Sequence, residues 1–416
     1  MTIKSDKVSR GEEIVDRKSL NVLEYTIIIE KLIEKCVSDL GKEIAKKLKP
    51  IKDLDGVRIL QEETSETQSV LLKIGYPPLY GIHDTAYLIR KTEIGSYLDP
   101  QQLLYLKETL SAARKMKHFF RNIDDENLYP IIQGLSKSLF IVKEIEEEIE
   151  RCILSETEIS DNASPKLKNI RRMISSKNDS IRNKLNAIIN SVSNQKYLQD
   201  TIVTIRQDRY VVPIKQEFRG QFPGLIHDQS SSGATLFIEP ISIVELNNEL
   251  KELKIEEERE ILRILMEISS MIALKGSQIR GNQEILGELD FIFAKGKLSL
   301  EMKGIEPQLN RDGKIRIKNA RHPLLKPDEV VPITLWLGDD FQLLIITGPN
   351  TGGKTVTLKT VGLLSLMAQS GLHVPADYGT KLAVYDHIFA DIGDEQSIEQ
   401  SLSTFSSHMT NIVNIL

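Results

Sequence analysis

Cysteine is nearly absent from this sequence: Cys36 and Cys152 are the only two among 416 residues. Two thiols make neither a disulfide framework nor a metal cluster, and their scarcity fits a reducing cytoplasm. Aromatic residues are also few, at 6%, and Trp336 is the single tryptophan. A place in the core is the plain expectation for it, with adenine stacking as the alternative. No apolar run is long enough to span a bilayer, so no membrane partner is expected. An excess of positive charge is missing too. With a net charge of −5, any contact with nucleic acid must use a local basic patch. Residues 1–18 lack the pattern of a signal peptide and read as a loose polar tail. What is present, 40% hydrophobic and 27% charged residues, suits a globular chain of about two to four domains.

The most specific feature lies near the C-terminal end. Gly348, Pro349, Asn350, Thr351, Gly352, Gly353, Lys354 and Thr355 fit G-x-x-x-x-G-K-[ST], the phosphate-cradling loop of P-loop NTPases. Residues 341–347 read as a short buried strand entering the loop. Residues 356–370 read as the helix leaving it, with Gly371 placed to end that helix. Glycines let consecutive N–H groups face a phosphate that side chains would block. The helix N-terminus adds partial positive charge. ATP and Mg²⁺ are the ligands this chemistry expects, with Lys354 reaching the β- and γ-phosphates and Thr355 ligating the metal. A chance glycine-rich turn is the bland alternative, which the strand–loop–helix context disfavours.

Upstream the pattern is mainly helical. Leu20, Leu23, Ile27, Ile28 and Leu32 keep helical spacing, with Ser19 as the expected N-cap. His83 reads as an ordinary polar contact. A long amphipathic helix is expected from Ile132 to Ile153, with a solvated acidic face. Leu167, Ile170, Ile174, Ile181, Leu185, Ile188 and Val192 then form a heptad-like stripe on a helix whose other face is basic. A second long helix, 243–279, is acidic in its middle, and short strands in 201–240 lie between the two. This reads as two helices paired out and back as a coiled coil, with a β-rich tip. The basic face either meets the acidic return helix or serves nucleic-acid phosphates. After it, Arg321, His322 and Pro323 make a turn in which a structural role for His322 is favoured over contact with nucleotide.

Gly348, Pro349 and Asn350 before the Gly-Gly-Lys-Thr of the loop, the Arg-His-Pro turn upstream and residues 401–405 downstream together resemble the MutS ATPase family. The finer likeness is to the bacterial paralog that lacks a mismatch-reading domain and ends in a small MutS-related nuclease domain. Segments 20–25, 60–66, 210–215 and 227–240 carry it, and it covers essentially everything after residue 18. The resemblance implies a mainly α multidomain fold: a helical core, long antiparallel coiled-coil arms with a β-rich clamp tip, then an incomplete α/β P-loop ABC-type ATPase domain. The expected divisions are 1–18 tail, 19–130 first part of the core, 131–200 outgoing arm, 201–240 tip, 241–281 returning arm, 282–310 core return and 311–416 partial ATPase domain. It also implies a homodimer in which Ser403 reaches the partner's γ-phosphate. On residues alone, that serine-rich stretch reads as a helix N-cap region. The family's Walker B acids belong beyond Phe405 and the chain ends at Leu416, so the sequence is expected to be the N-terminal part of a longer protein. Asp391, Asp394 and Glu395 precede the signature serines and read as the approach to that loop. By resemblance the full-length protein is an ATPase and endonuclease that binds branched DNA and suppresses homologous recombination, and is also linked to collided ribosomes and their rRNA. A scaffold that holds nucleotide without turnover is the alternative for this chain. A cohesion-type ABC ATPase is disfavoured, because its P-loop precedes its arms.

Overall fold

Capping side chains set where the first helices start. The computed structural model describes residues 14–121, 128–326, 328–349, 352–392, 409 and 413. The Asp16 carboxylate accepts from the Ser19 N–H at 3.0 Å and opens α1 (Arg17–Val22). Ser19, the expected cap, instead lies buried inside that helix. Glu24, at φ 62°, stands between α1 and α2 (Tyr25–Lys35). Ser38 caps α3 (Asp39–Lys46) and Asp53 caps α4 (Leu54–Lys73) by accepting backbone N–H groups, each cap worth about 1 kcal/mol. α5 (Ala86–Glu93), α6 (Pro100–Phe119), α7 (Pro130–Lys137) and α8 (Lys143–Cys152) follow.

The single helix expected over 132–153 is two. Asn282 takes Phe140 out of helical geometry: its Oδ1 accepts from the Phe140 N–H and its Nδ2 donates to the Phe140 carbonyl, both at 2.7 Å. α9 (Pro165–Ile189) and α10 (Val192–Gln195) lead to strands β1 (Thr204–Arg206), β2 (Arg209–Lys215), β3 (Gly224–Gln229) and β4 (Thr235–Pro240). α11 (Ile241–Leu274) and α12 (Gly276–Met302) return. β5 (Gln308–Asn310), β6 (Ile315–Ala320), β7 (Ile333–Leu337), α13 (Lys354–Gln369) and β8 (Lys381–Ala383) complete the described elements. The described residues are therefore mainly helical, with two small sheets among them.

Two compact units divide it. One takes residues 86–107 and 142–276. Here α9 and α11 pack antiparallel: Ser164 meets Glu260, Arg171 meets Glu257 and Lys177 meets Glu249. Ile181, Leu185 and Ile189 share a core with Ile243, Leu250 and a sheet whose strand order is β1-β2-β4-β3, all antiparallel. Each fully buried Leu or Ile contributes about 1.5–3 kcal/mol. The basic face of α9 is split. Lys166, Arg171 and Lys177 pair with glutamates of α11, while Lys168, Arg182 and Lys184 stay exposed and make no ion pair among the described residues.

The other unit takes residues 1–85, 108–141 and 277–416. α12 faces two cores: Leu286, Leu289 and Phe293 pack with α4, α6 and α7, while Ile292 and Leu298 pack with α2, α13 and β6. A mixed sheet of order β5-β8-β6-β7 lies in this unit. Residues 341–347, expected as a buried strand, are irregular and mostly exposed, with Leu343 and Ile345 at 76% and 74%. No described strand runs beside them to take their ladder bonds, and a lone strand holds neither its hydrogen bonds nor its burial. Trp336 is also no core residue. It stands 47% exposed on β7, tilted against Phe341.

Candidate phosphate loop and the helix behind it

Gly353 makes the turn into α13. It adopts φ 78°, a conformation open to glycine at little cost, and stands at the helix N-cap. Before it the Gly352 N–H closes a tight turn on the Pro349 carbonyl at 2.9 Å. Lys354 curls back so that its Nζ donates to the Gly348 carbonyl across the loop. Thr355 is exposed at the loop mouth, and the Thr357 hydroxyl donates to the Gly353 carbonyl at 3.0 Å. The first N–H groups of α13 have no intrahelical partner and add the positive end of the helix dipole. Gly348, Pro349, Gly352, Gly353, Lys354 and Thr355 thus come together. Asn350, Thr351 and Ser403 lie outside the described residues, as do Asp394 and Glu395.

The far end of α13 is held firmly. Gly371, at φ 71°, lets the chain turn against α4, where an added Cβ would sit 2.3 Å from the Leu60 Cβ. The Gln61 amide donates to the Ala368 and Leu372 carbonyls, and the Thr64 hydroxyl donates to the Gly371 carbonyl. Tyr25 and Ser370 share a hydrogen bond of 2.7 Å. Midway along, Lys359 pairs with Glu24 at 3.2 Å. His322 is 6% exposed; its Nδ1 accepts from the Leu324 N–H, and its Nε2 lies 3.9 Å from Glu24. It braces the turn, as favoured from sequence. Glu24 and Lys359 carried no local signal: a glutamate in a helical run looks like any solvated acid.

Beyond Gly371, His373 closes a buried relay. Its Nδ1 meets the Ser299 hydroxyl at 2.7 Å and its Nε2 meets the Ser65 hydroxyl at 2.9 Å, which itself donates to Glu306. Since Ser65 gives its proton to Glu306, Nε2 carries the imidazole hydrogen and Nδ1 accepts from Ser299. Ser299 is 1% exposed, so this arrangement holds structure and presents no nucleophile. Burial, and then the Lys295 ammonium, push the His373 imidazole down from 6.5 to about 4. The unfolded chain takes up that proton first. The stability concerned is complete above pH 6.5 and is lost as pH falls toward 4, about 3 kcal/mol in all. Glu66 and Glu288, whose carboxyl groups burial pushes up, act in the opposite sense. The measurement is therefore a difference: urea midpoints of the wild type should fall more steeply than those of His373→Gln between about pH 7 and about pH 4.5. Parallel curves would contradict the buried neutral imidazole.

A family profile described as MutS domain V matches residues 344–416, the segment that contains this loop and α13. The chain belongs to the MutS family. Within it the chain is of the MutS2 type. It is 67% identical over 402 residues to Endonuclease MutS2 of Alkaliphilus oremlandii, covering 97% of this chain and 51% of that protein. Over the same shares it is 65% identical to Endonuclease MutS2 of Alkaliphilus metalliredigens and 57% identical to that of Clostridioides difficile. The chain spans about half the length of the curated relatives it matches.

Proposed function

We propose that this chain is the nucleotide-binding and arm-bearing part of an ATP-dependent nucleic-acid clamp. The observation that carries the reading is the left-handed Gly353, which opens α13 with Lys354 and Thr355 side by side at the loop mouth. Gly348, Pro349, Asn350, Thr351, Gly352 and Gly353 would wrap the phosphates of ATP, all but Pro349 (which has no N–H) offering backbone N–H groups, and Lys354 would move from the Gly348 carbonyl onto the β- and γ-phosphates. These residues suit a magnesium nucleotide: Thr355 offers an exposed hydroxyl, and Mg²⁺ there would neutralise phosphate charge. Ser403 would complete the site of the partner in a homodimer, so that nucleotide joins two ATPase domains and moves coiled-coil arms. The proposed divisions remain a helical core (19–130, 282–310), arms (131–200, 241–281) around a tip (201–240), and a P-loop ATPase domain from 311 onward.

The names of the relatives support endonuclease activity for a full-length protein, and DNA is the partner proposed for it. The exposed Lys168, Arg182 and Lys184 of α9 offer phosphate contacts on an otherwise acidic chain. Branched DNA and suppression of recombination, or collided ribosomes and their rRNA, are the substrates proposed for it, in the cytoplasm. The test is calorimetric binding of Mg-ATP to this chain, with steady-state hydrolysis measured alongside. Lys354→Ala should weaken binding at least about tenfold, the loss of one charge-assisted contact, and leave the fold intact. Unchanged affinity would overturn the phosphate site. Binding without turnover would favour a nucleotide-holding scaffold for this chain.

A further inference from the structure

Residues 14–25 touch α13 at three heights and also hold the segment 388–391. Toward α13, the Glu24 carboxylate meets Lys359 at 3.2 Å and Tyr25 bonds Ser370 at 2.7 Å. Between them Leu23 packs so closely on Gly362 that a Cβ there would lie 2.7 Å from its Cδ2. Toward the other segment, the Ile388 N–H donates to the Ile14 carbonyl at 3.0 Å and the Ala390 N–H donates to the Ser19 hydroxyl at 2.9 Å. Lys18 pairs with Asp391 at 3.7 Å. Ser19 is thus spent on a partner 371 residues away rather than on capping its own helix. The bend at Glu24 lets one short stretch serve both sides, since its left-handed backbone turns α2 away from α1.

We propose that residues 14–25 are a coupling strap: Glu24 positions the phosphate-loop helix through Lys359, and Ser19 and Lys18 pass its displacement to residues 388–391. The inference rests on the phosphate site proposed above. When a ligand draws Lys354 off the Gly348 carbonyl, the first turns of α13 shift while its far end stays pinned by Gln61 and Thr64. Lys359, between the two, carries the shift to Glu24. Glu24 is a positioning residue in this scheme and touches no ligand.

The experiment is hydrogen exchange of the peptide spanning 386–391 in the full chain, with and without Mg²⁺ and the non-hydrolysable β,γ-imido analogue of ATP. In the wild type the analogue should slow exchange there about fivefold or more. Ser19→Ala should abolish that response while binding the analogue as tightly as the wild type. Glu24→Gln should also abolish it and weaken binding about two- to fivefold, as expected of a single partly exposed ion pair. The charge swap Glu24→Lys with Lys359→Glu should restore the response, which a merely structural loss would not allow. Should Ser19→Ala unfold, Lys18→Ala removes the exposed pair with Asp391 and should reduce the response. Equal protection in wild type and variants, or none in a wild type that binds the analogue, would overturn the strap and leave the phosphate site standing. Equal affinity in wild type and Lys354→Ala would overturn both.

Discussion

Glu239→Ala should destabilise the unit of residues 86–107 and 142–276 by about 3–5 kcal/mol, because it leaves the half-buried partners of a buried charge uncompensated. The Glu239 carboxylate is wholly buried at the end of β4. It accepts from Arg209 at 2.9 and 3.1 Å, from His227 Nε2 at 2.5 Å and from Asn247 Nδ2 at 2.7 Å. One side chain therefore joins β2, β3, β4 and α11. Alanine would strand a guanidinium, an imidazole and an amide together. Glutamine keeps the shape but turns an amide hydrogen toward a donor, so Glu239→Gln should fall between the two. Urea unfolding followed by circular dichroism gives the number, and limited proteolysis should show cleavage moving into residues 201–240. A cost under about 1 kcal/mol would mean that water replaces the carboxylate. The sequence makes Phe237 and Glu239 look like the Phe-x-Glu of mismatch readers, a coincidence by position. Phe237 in fact receives Arg206 over its ring at 4.4 Å, so both residues hold the sheet together.

Glu63→Ala should be as costly, about 3–5 kcal/mol, and for a related reason. The side chain of Lys295 is fully buried, with Nζ donating to Glu63 at 2.6 Å and to the Leu60 carbonyl at 3.1 Å. Burial holds the Lys295 ammonium below its ordinary pKa, and Glu63 is the charge that opposes that shift most. Without Glu63 the lysine must either stay charged in the core or give up its proton. Lys295→Met should be much milder, and the double variant Glu63→Leu with Lys295→Met near neutral, since a well-packed apolar pair replaces an ionic one at little cost. A double-mutant cycle by chemical denaturation measures this directly. If the double variant is as unstable as Glu63→Ala, the carboxylate is needed for something other than its lysine. α4 also holds the far end of α13 through Gln61 and Thr64, so loosening it should weaken nucleotide binding as a secondary effect.

Sequence made the local features legible. The phosphate-loop motif and the helix ending at Gly371 are written in consecutive residues, and α13 with its turn lie where that pattern puts them. The basic and acidic helices and their pairing are readable too, but sequence does not decide whether the basic face meets the acidic helix or nucleic acid; in the structure Arg171 and Lys177 cross to α11 while Lys184 does not. The failures share a cause. Asn282 breaks the helix at Phe140 from 142 residues away, and Ser19 answers to Ala390 rather than to α1. The run 341–347 has the composition of a core strand, yet a strand is defined by neighbours that its own residues cannot specify. Trp336 misled for the same reason: size and apolarity favour burial, while position on β7 decides it.

The two cysteines have a practical consequence. Both are buried, with thiols pushed up by burial to about 12 at Cys36 and about 11 at Cys152. At neutral pH neither offers the thiolate that maleimides and spin labels attack. A single cysteine introduced at exposed Lys184 or Tyr378 can therefore carry a fluorophore in the native background. Environment changes at α9 and near β8 then become separately observable without first stripping the core of its sulfur.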